Sequence, residues 1–313
     1  MRAVTAIVET RPGGQRSPKD VFLKYLALTK PRIIEQLLVA TIPSMLLAQR
    51  GVPALWLVVA TVAFGALAAG SAGAFNCVAD ADIDAVMKRT AKRPIVNDTV
   101  SKRSALIFAI VLGALAVAGM WLTTNLLSAV LTLGAIAFYV LVYTMWLKRR
   151  TSQNVVWGGI CGCMPVLIGW SAVTGTVGWQ AFVMFGVIFF WTPPHSWALG
   201  MKYREDYTNA GVPMLPSVAS PRQVTLRIVL YSWAMALCAL VLVPGTSWLY
   251  AACAVIAGAW FLVAVHRLHS QVRRGAEYKP MGVFHLSNTY LCVVFVMLAV
   301  DAVVGWPVLG WPF

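Results

Sequence analysis

The chain has 313 residues, of which 59% are hydrophobic and 12% charged, where a soluble globular domain carries about a quarter charged residues. That balance excludes a water-soluble globule, which needs more polar surface to cover its core, and it excludes intrinsic disorder. Lys and Arg outnumber Asp and Glu by 25 to 11, a formal net charge of +14, which in an apolar chain points to cytoplasmic loops and anionic substrates and not to nucleic acid.

Residues 1–24 read as a flexible basic N-terminal tail, with no early apolar run of the kind a cleavable signal peptide needs. Residues 25–313 read as a single domain. Its apolar stretches at 33–49, 52–75, 105–122, 126–147, 155–173, 179–200, 224–243, 247–265 and 283–304 are long enough to cross the lipid bilayer as helices. The expected fold is therefore all-α, with nine transmembrane helices. Short, nearly uncharged connections alternate with long basic ones, and every Lys and Arg except Arg50 falls on the basic side. This bias predicts a cytoplasmic N-terminus and, after nine spans, a C-terminus outside the cell (inner) membrane. Trp121, Trp146, Trp157, Trp170, Trp179 and Trp248 lie near span ends, as interfacial anchors do. Cys77, Cys161, Cys163, Cys238, Cys253 and Cys292 lie in or beside apolar runs and read as buried thiols.

The richest charged cluster follows the second span: Asn76, Asp80, Asp82 and Asp84, then Lys88, Arg89, Lys92 and Arg93. On a continuing helix Asn76, Asp80 and Asp84 share one face, and Asp82 points elsewhere. A solvated loop with paired acids and bases is the bland alternative. These acids, however, begin inside an apolar run, where an unpaired oxygen is costly. Carboxylates so spaced suit Mg²⁺, which completes its shell with water and phosphate oxygens. Arg89 and Arg93, four apart, are placed to grip one polyanion, with Lys92 between them.

A second cluster follows the sixth span: Trp191, Pro193, Pro194, His195, Trp197, then Lys202, Tyr203, Arg204, Glu205 and Asp206. The Pro pair predicts a kink. His195 is either a functional intramembrane imidazole or a satisfied core group. The aromatic neighbours Trp191 and Trp197 suit a flat ligand. Glu205 and Asp206 either complete a metal site or neutralise Lys202 and Arg204.

Weaker signals remain. Lys30, Arg32 and Lys148–Arg150 are explained by positive-inside anchoring, Glu35 and Gln36 lie inside the first span, and Asn154 is a further polar candidate. His266 and His269 are expected in a solvated loop, and Asp301 at the outer interface.

At Asn76-x-x-x-Asp80-x-x-x-Asp84 the chain resembles the intramembrane aromatic prenyltransferase superfamily. Further segments resemble its heme-directed branch: Leu28-Thr29-Lys30-Pro31-Arg32-Ile33, Arg89-x-x-Lys92-Arg93-Pro94, Lys148-Arg149-Arg150-Thr151-x-Gln153-Asn154, Trp191-x-Pro193-Pro194-His195-x-Trp197 and Asp206-Tyr207-x-x-Ala210-Gly211-x-Pro213. The resemblance runs from about residue 25 to the end. It implies nine helices around a central cavity open to the cytoplasmic side. It also implies farnesyl transfer from farnesyl diphosphate to a vinyl group of heme B, with addition of water. Asp80, Asp84 and Asp206 would hold Mg²⁺; Arg89, Lys92, Arg93 and Lys202 the diphosphate; His195, Trp191 and Trp197 the heme. Asn76 and His195 would join the aspartates in catalysis, with Asn154, Tyr203 and Glu205 as supporting candidates. Lys202 stands where the wider superfamily carries the first Asp of its second motif, which implies an incomplete second metal site and argues against a quinone-head acceptor. The product, heme O, implies heme A synthase or a terminal oxidase as a partner. The rival readings are prenylation of a quinone precursor or chlorin, and transport of anions. Transport needs polar groups at the midplane and a repeat, whereas the charges here crowd on one side.

Overall fold

The apolar stretches fold as helices, and the breaks between them fall where Pro, Gly and charge accumulate. The computed structural model describes residues 17–310 apart from Arg89, with residues 32–39 described as backbone only. The expected tail over residues 1–16, the diphosphate candidate Arg89 and the side chains of Arg32, Glu35 and Gln36 thus lie outside the described residues. Helix α1 spans Pro18–Leu28, α2 Pro31–Gln49, α3 Leu55–Ala79, α4 Ala81–Val86, α5 Lys102–Thr123 and α6 Leu126–Ala137, which continues as a π-helix over Phe138–Thr144. Then follow α7 Asn154–Thr174, α8 Trp179–Lys202, α9 Arg204–Asn209, α10 Leu215–Val218, α11 Pro221–Val241, α12 Trp248–Arg273 and α13 Pro280–Val304. Among the described residues the architecture is all-helical, and seven helices are long and apolar enough to cross a membrane. The other two long helices are α2, with Arg32 and Glu35, and α8, with its Thr192–Ser196 stretch.

Consecutive long helices pack side by side, and α13 returns to α2, so the bundle closes into a ring, with α2 also touching α7 and α8 also touching α13. Close approach needs small residues: a Cβ on Gly169 of α7 would come 2.8 Å from the Thr41 carbonyl oxygen of α2. The main core lies among α7, α8, α11, α12 and α13, around Val187, Trp197, Phe261, Tyr290 and Phe295. Outward positions such as Leu55, Leu122 and Ile256 stay exposed and apolar, a surface suited to lipid.

Several boundaries differ from the sequence reading. Helix α1 reaches into the segment assigned to the tail, beginning at Pro18 in the first turn, where a missing N–H costs nothing. Helix α12 runs to Arg273, not 265, because the first breaker is Gly275, whose φ of +67° closes the helix. His266 and His269 are therefore helical, not in a loop. His266 Nε2 accepts from Trp233 Nε1–H at 3.0 Å, and His269 Nδ1 lies 2.8 Å from Thr225 Oγ1. Asp301 is buried, not interfacial: its carboxylate accepts from the backbone N–H and hydroxyl of Ser247 and so caps the start of α12. Helix α8 continues through Pro193 and Pro194. All six cysteines are free, with Cys292 exposed.

Candidate active site

Helix α3 ends at Ala79, and Asp80 takes a non-helical conformation before α4 begins. The chain bends there without losing register: Asp80 N–H bonds to Asn76 O at 2.9 Å and Asp84 N–H to Asp80 O at 2.8 Å. The expected shared face therefore survives the break. Asn76, Asp80 and Asp84 are each 3% exposed or less, while the Asp82 side chain is 65% exposed. Asn76 Nδ2 donates to Asp80 Oδ2 at 2.7 Å and to Thr144 Oγ1 at 3.1 Å. Thr144 is the last residue of the π-helix, a local widening often found at functional sites. The same π-turn lays Tyr143 over Gly158, where a Cβ would come 2.3 Å from the ring.

Buried carboxylates need cations, and the structure supplies them from unexpected places. Lys148 pairs with Asp80, and Arg149 Nη2 approaches its other oxygen at 3.8 Å. Arg149 also grips both oxygens of Asp82 at 2.7 Å, and this holds the Asp82 carboxyl down at about 2. Lys30, in a left-handed conformation at φ 53°, donates to Asn76 Oδ1. Such a backbone is uncommon outside glycine and marks a position held by its surroundings. Burial lowers the Lys30 ammonium to about 8, with Arg93 and Lys148 adding to the effect against Cys77 and Asp84. The sequence alone marks Lys30, Lys148 and Arg149 only as topological anchors, because their partners lie 46 to 70 residues away.

The described part of the basic segment after α4 is not helical; Arg89 lies outside the described residues, so of the expected Arg89 and Arg93 pair only Arg93 is placed. Met87 is extended, and Pro94 disfavours helix at Arg93. Arg93 turns back onto Asp84, whereas Lys92 is exposed. Ile95 and Val100 anchor this segment against α3 and α5.

The second charged segment meets the first. Ile83 and Met87 pack with Val212, Tyr207 and Ala210. Asp206 is half-buried on α9, and Glu205 is exposed. Among the described residues neither forms an ion pair, so neutralisation of Lys202 and Arg204 is not what they do. Lys202 is exposed, with Nζ 5.5 Å from the centre of the half-buried Tyr203 ring. Among the described residues no three His, Cys, Asp or Glu side chains converge as a metal cage, so Asp80, Asp84 and Asp206 do not form a ready-made triad. Asp84 is turned onto Arg93, Asp80 onto Lys148, and Asp206 sits on a separate helix. The donor set does fit an ion that takes two carboxylates and fills its shell with phosphate and water. Asp80 Oδ1 is fully buried without a hydrogen-bond donor, as is Asn154 Oδ1, whose Nδ2 donates to the Lys148 carbonyl at 3.3 Å.

His195 lies on α8, one turn from Trp191, and the two rings stack at 4.3 Å. Phe284 of α13 covers the imidazole at 4.4 Å. Ser287 Oγ is 2.9 Å from His195 Nδ1, and its carbonyl accepts from Trp191 Nε1–H at 2.7 Å. Trp197 is not part of this wall. Two residues past His195 it points away and is fully buried against Tyr231 at 5.3 Å, so it offers no face to a porphyrin.

The sequence profile of the UbiA prenyltransferase family matches residues 37–289. "Protoheme IX farnesyltransferase 2" of Saccharopolyspora erythraea is 61% identical over 309 residues, covering 99% of this chain and 95% of the relative. "Protoheme IX farnesyltransferase" of Mycolicibacterium smegmatis is 60% identical over 294 residues, covering 94% and 96%. Among solved structures, digeranylgeranylglyceryl phosphate synthase superposes with a TM-score of 0.74 at 14% identity, covering 90% of this chain and 98% of that one. A UbiA homolog from Archaeoglobus fulgidus bound to DMAPP and Mg²⁺ superposes with a TM-score of 0.63 at 16% identity, covering 88% and 99%. These distant likenesses carry the fold, and the close relatives and the profile carry the family: the chain is an integral membrane protein that belongs to the UbiA prenyltransferase family.

Proposed function

We propose that this chain transfers the farnesyl group of farnesyl diphosphate to a vinyl group of heme B, with addition of water, giving heme O and diphosphate. The observation that carries the reading is identity of 60% or more, over nearly the whole chain, to relatives named protoheme IX farnesyltransferase. The geometry supports it with two chemically distinct half-sites.

In this reading Lys30, Arg93, Lys148 and Arg149 receive the diphosphate and stabilise the charge that develops on it as the allylic C–O bond breaks. Asp80 and Asp84 would hold Mg²⁺, which would supply further neutralisation of the leaving group. Asn76 keeps Asp80 and Lys30 in register through its two amide atoms. Lys202 and Asp206 would join the site from α8 and α9, and Asn154 supports the Lys148 turn. The π electrons of the heme vinyl form the new C–C bond to the farnesyl carbon. Water adds to the resulting porphyrin side-chain cation and loses a proton, so charge and atoms balance. His195 and Trp191 serve the heme. Apolar walls keep water from the farnesyl carbon before the vinyl reaches it.

The finer topology belongs to the same proposal: residues 25–313 form one domain of nine crossing helices, the site faces the cytoplasm, and the C-terminus lies outside. A reporter fused after Phe313 should be active only in the outer compartment, and cytoplasmic activity there would refute that topology. The product would pass to heme A synthase or a terminal oxidase. The function itself is tested by incubating purified protein with heme B, farnesyl diphosphate and Mg²⁺. Mass spectrometry should detect heme plus farnesyl plus water, and transfer only to a quinone precursor or chlorin would replace the acceptor.

A further inference from the structure

The contact between α8 and α13 fixes more than the position of His195. Ser287 Oγ lies 2.9 Å from His195 Nδ1 and 2.7 Å from the carbonyl oxygen of Phe284. A carbonyl oxygen can only accept, and two oxygens so close repel unless a proton lies between them. The Ser287 hydroxyl hydrogen is therefore committed to Phe284, and its lone pairs face the ring. Nδ1 must then be the donor. In the neutral imidazole this leaves Nε2 as a bare lone pair, able to ligate a metal centre or accept a proton. The ring is held in place by Trp191 on one neighbour contact and Phe284 on another, at 4.3 and 4.4 Å. Trp191 is itself tied to the main chain of Ser287, at 2.7 Å. One buried serine thus secures the imidazole through its side chain and the indole through its carbonyl.

We propose that Ser287 sets the Nδ1–H tautomer of His195 and so presents Nε2 as the acceptor on the heme side of the site. Ser287 is a positioning residue, and the heme-facing part of this inference rests on the function proposed above. Ser287→Ala removes the hydroxyl but keeps the carbonyl that holds Trp191, so it tests the side-chain role alone.

The test is ¹⁵N-histidine NMR of the full chain in lipid nanodiscs without heme. The chain has four histidines, and the His195 signals are those lost in His195→Gln. The expected wild-type ring is neutral with hydrogen on Nδ1. Ser287→Ala should shift it toward Nε2–H or a mixture, and Ser287→Thr, which keeps a hydroxyl, should restore it. A wild-type ring that is cationic or carries hydrogen on Nε2 overturns the proposal, whether or not the variants fold. An unchanged Nδ1–H ring in Ser287→Ala overturns it too. A second arm titrates heme B and follows the Soret band. Ser287→Ala should weaken binding about 10- to 100-fold, the usual scale for losing the partner that orients a histidine ligand, with recovery in Ser287→Thr. If the tautomer responds but heme binding does not, the tautomer assignment stands and the heme reading of His195 falls.

Discussion

The cluster around Asp80 and the clamp around His195 solve opposite solvation problems within one bundle. At the α3–α4 bend, Asp80 and Asp84 are buried with Lys148, Arg149 and Arg93 against them, and Lys30 bonded to a neutral amide. Four cations face three aspartates there, once Asp82 is included, so the cluster is poised for another anion. Between α8 and α13, by contrast, the polar contacts run among an imidazole, a hydroxyl, an indole and main-chain carbonyls, beside aromatic rings. A diphosphate needs the first setting, because its charge grows as the bond breaks. A porphyrin needs the second, because a flat apolar ring gains from stacking and from one well-placed lone pair. The comparison predicts that damage at one end should be legible as loss of one substrate only.

The largest effect should come from Asp80→Asn or Asp84→Asn. Each keeps the shape but removes a charged oxygen, and turnover should fall at least about a hundredfold. Asp80→Asn also strands the Lys148 ammonium, costing on the order of 3 kcal/mol of stability. A thermal melt beside the activity assay separates the two losses. Heme binding should persist in both variants, and its loss would break the division between the two ends.

The complementary change is His195→Ala. Heme affinity or turnover should fall further than the about 10- to 100-fold expected for losing its supporting partner Ser287, while farnesyl diphosphate affinity holds. If His195 only packs against Trp191 and Phe284, stability drops and both substrates suffer alike. A changed Soret band in the variant identifies an iron ligand; an unchanged band with lost turnover identifies an orienting or proton-handling role.

The two ends also differ in how far they could be read from the sequence. The helices and the Asn76, Asp80, Asp84 face follow from local periodicity, which the bend at Asp80 leaves intact. The cations that neutralise this face do not, because Lys148 and Lys30 reach it from 68 and 46 residues away. Loop charge could be counted but not aimed. Arg89 lies outside the described residues, and Arg93 reaches Asp84 from a segment that has left the helix by Met87. On α8, Trp191 and His195 are four apart and stack, whereas Trp197 falls on the opposite side. Ser287 had no local signature at all, lying 92 residues from its partner.

Lys30 sharpens the comparison through pH. Burial lowers its ammonium from the usual 10.5 to about 8. The folded chain thus binds this proton less firmly than the unfolded chain, so a stability penalty is fully present below about pH 8 and fades as the pH rises toward 10.5. A bound diphosphate reverses the balance by favouring the charged form. Farnesyl diphosphate affinity should therefore decline severalfold as the pH rises above about 8, with proton uptake on binding. Lys30→Met should bind more weakly and lose that decline. Heme affinity should show no such pH dependence, and calorimetry in two buffers of different ionisation enthalpy measures the proton directly.

The smallest effect is expected at Asp82, which lies between the two buried aspartates in sequence but points away from them in space. Its side chain is 65% exposed, and its partner Arg149 is 39% exposed. Solvent screens such a pair, so its loss should cost less than about 1 kcal/mol. The Asp82 carboxyl is held at about 2, below its usual 3.8. Its contribution is therefore present above about pH 4 and lost as the pH falls through 2. Arg149, however, also donates to the Ala79 carbonyl at 2.9 Å and stands 3.8 Å from Asp80. Asp82 thus holds a guanidinium in place beside the buried cluster. Asp82→Asn keeps one acceptor for Arg149 and should lower turnover no more than about threefold, through weaker farnesyl diphosphate binding and not through heme. Asp82→Ala removes both acceptors and should be the worse of the two. Damage from Asp82→Asn equal to that from Asp80→Asn would mean that all three acids act together, and that the shared face of Asn76, Asp80 and Asp84 is not what organises the site.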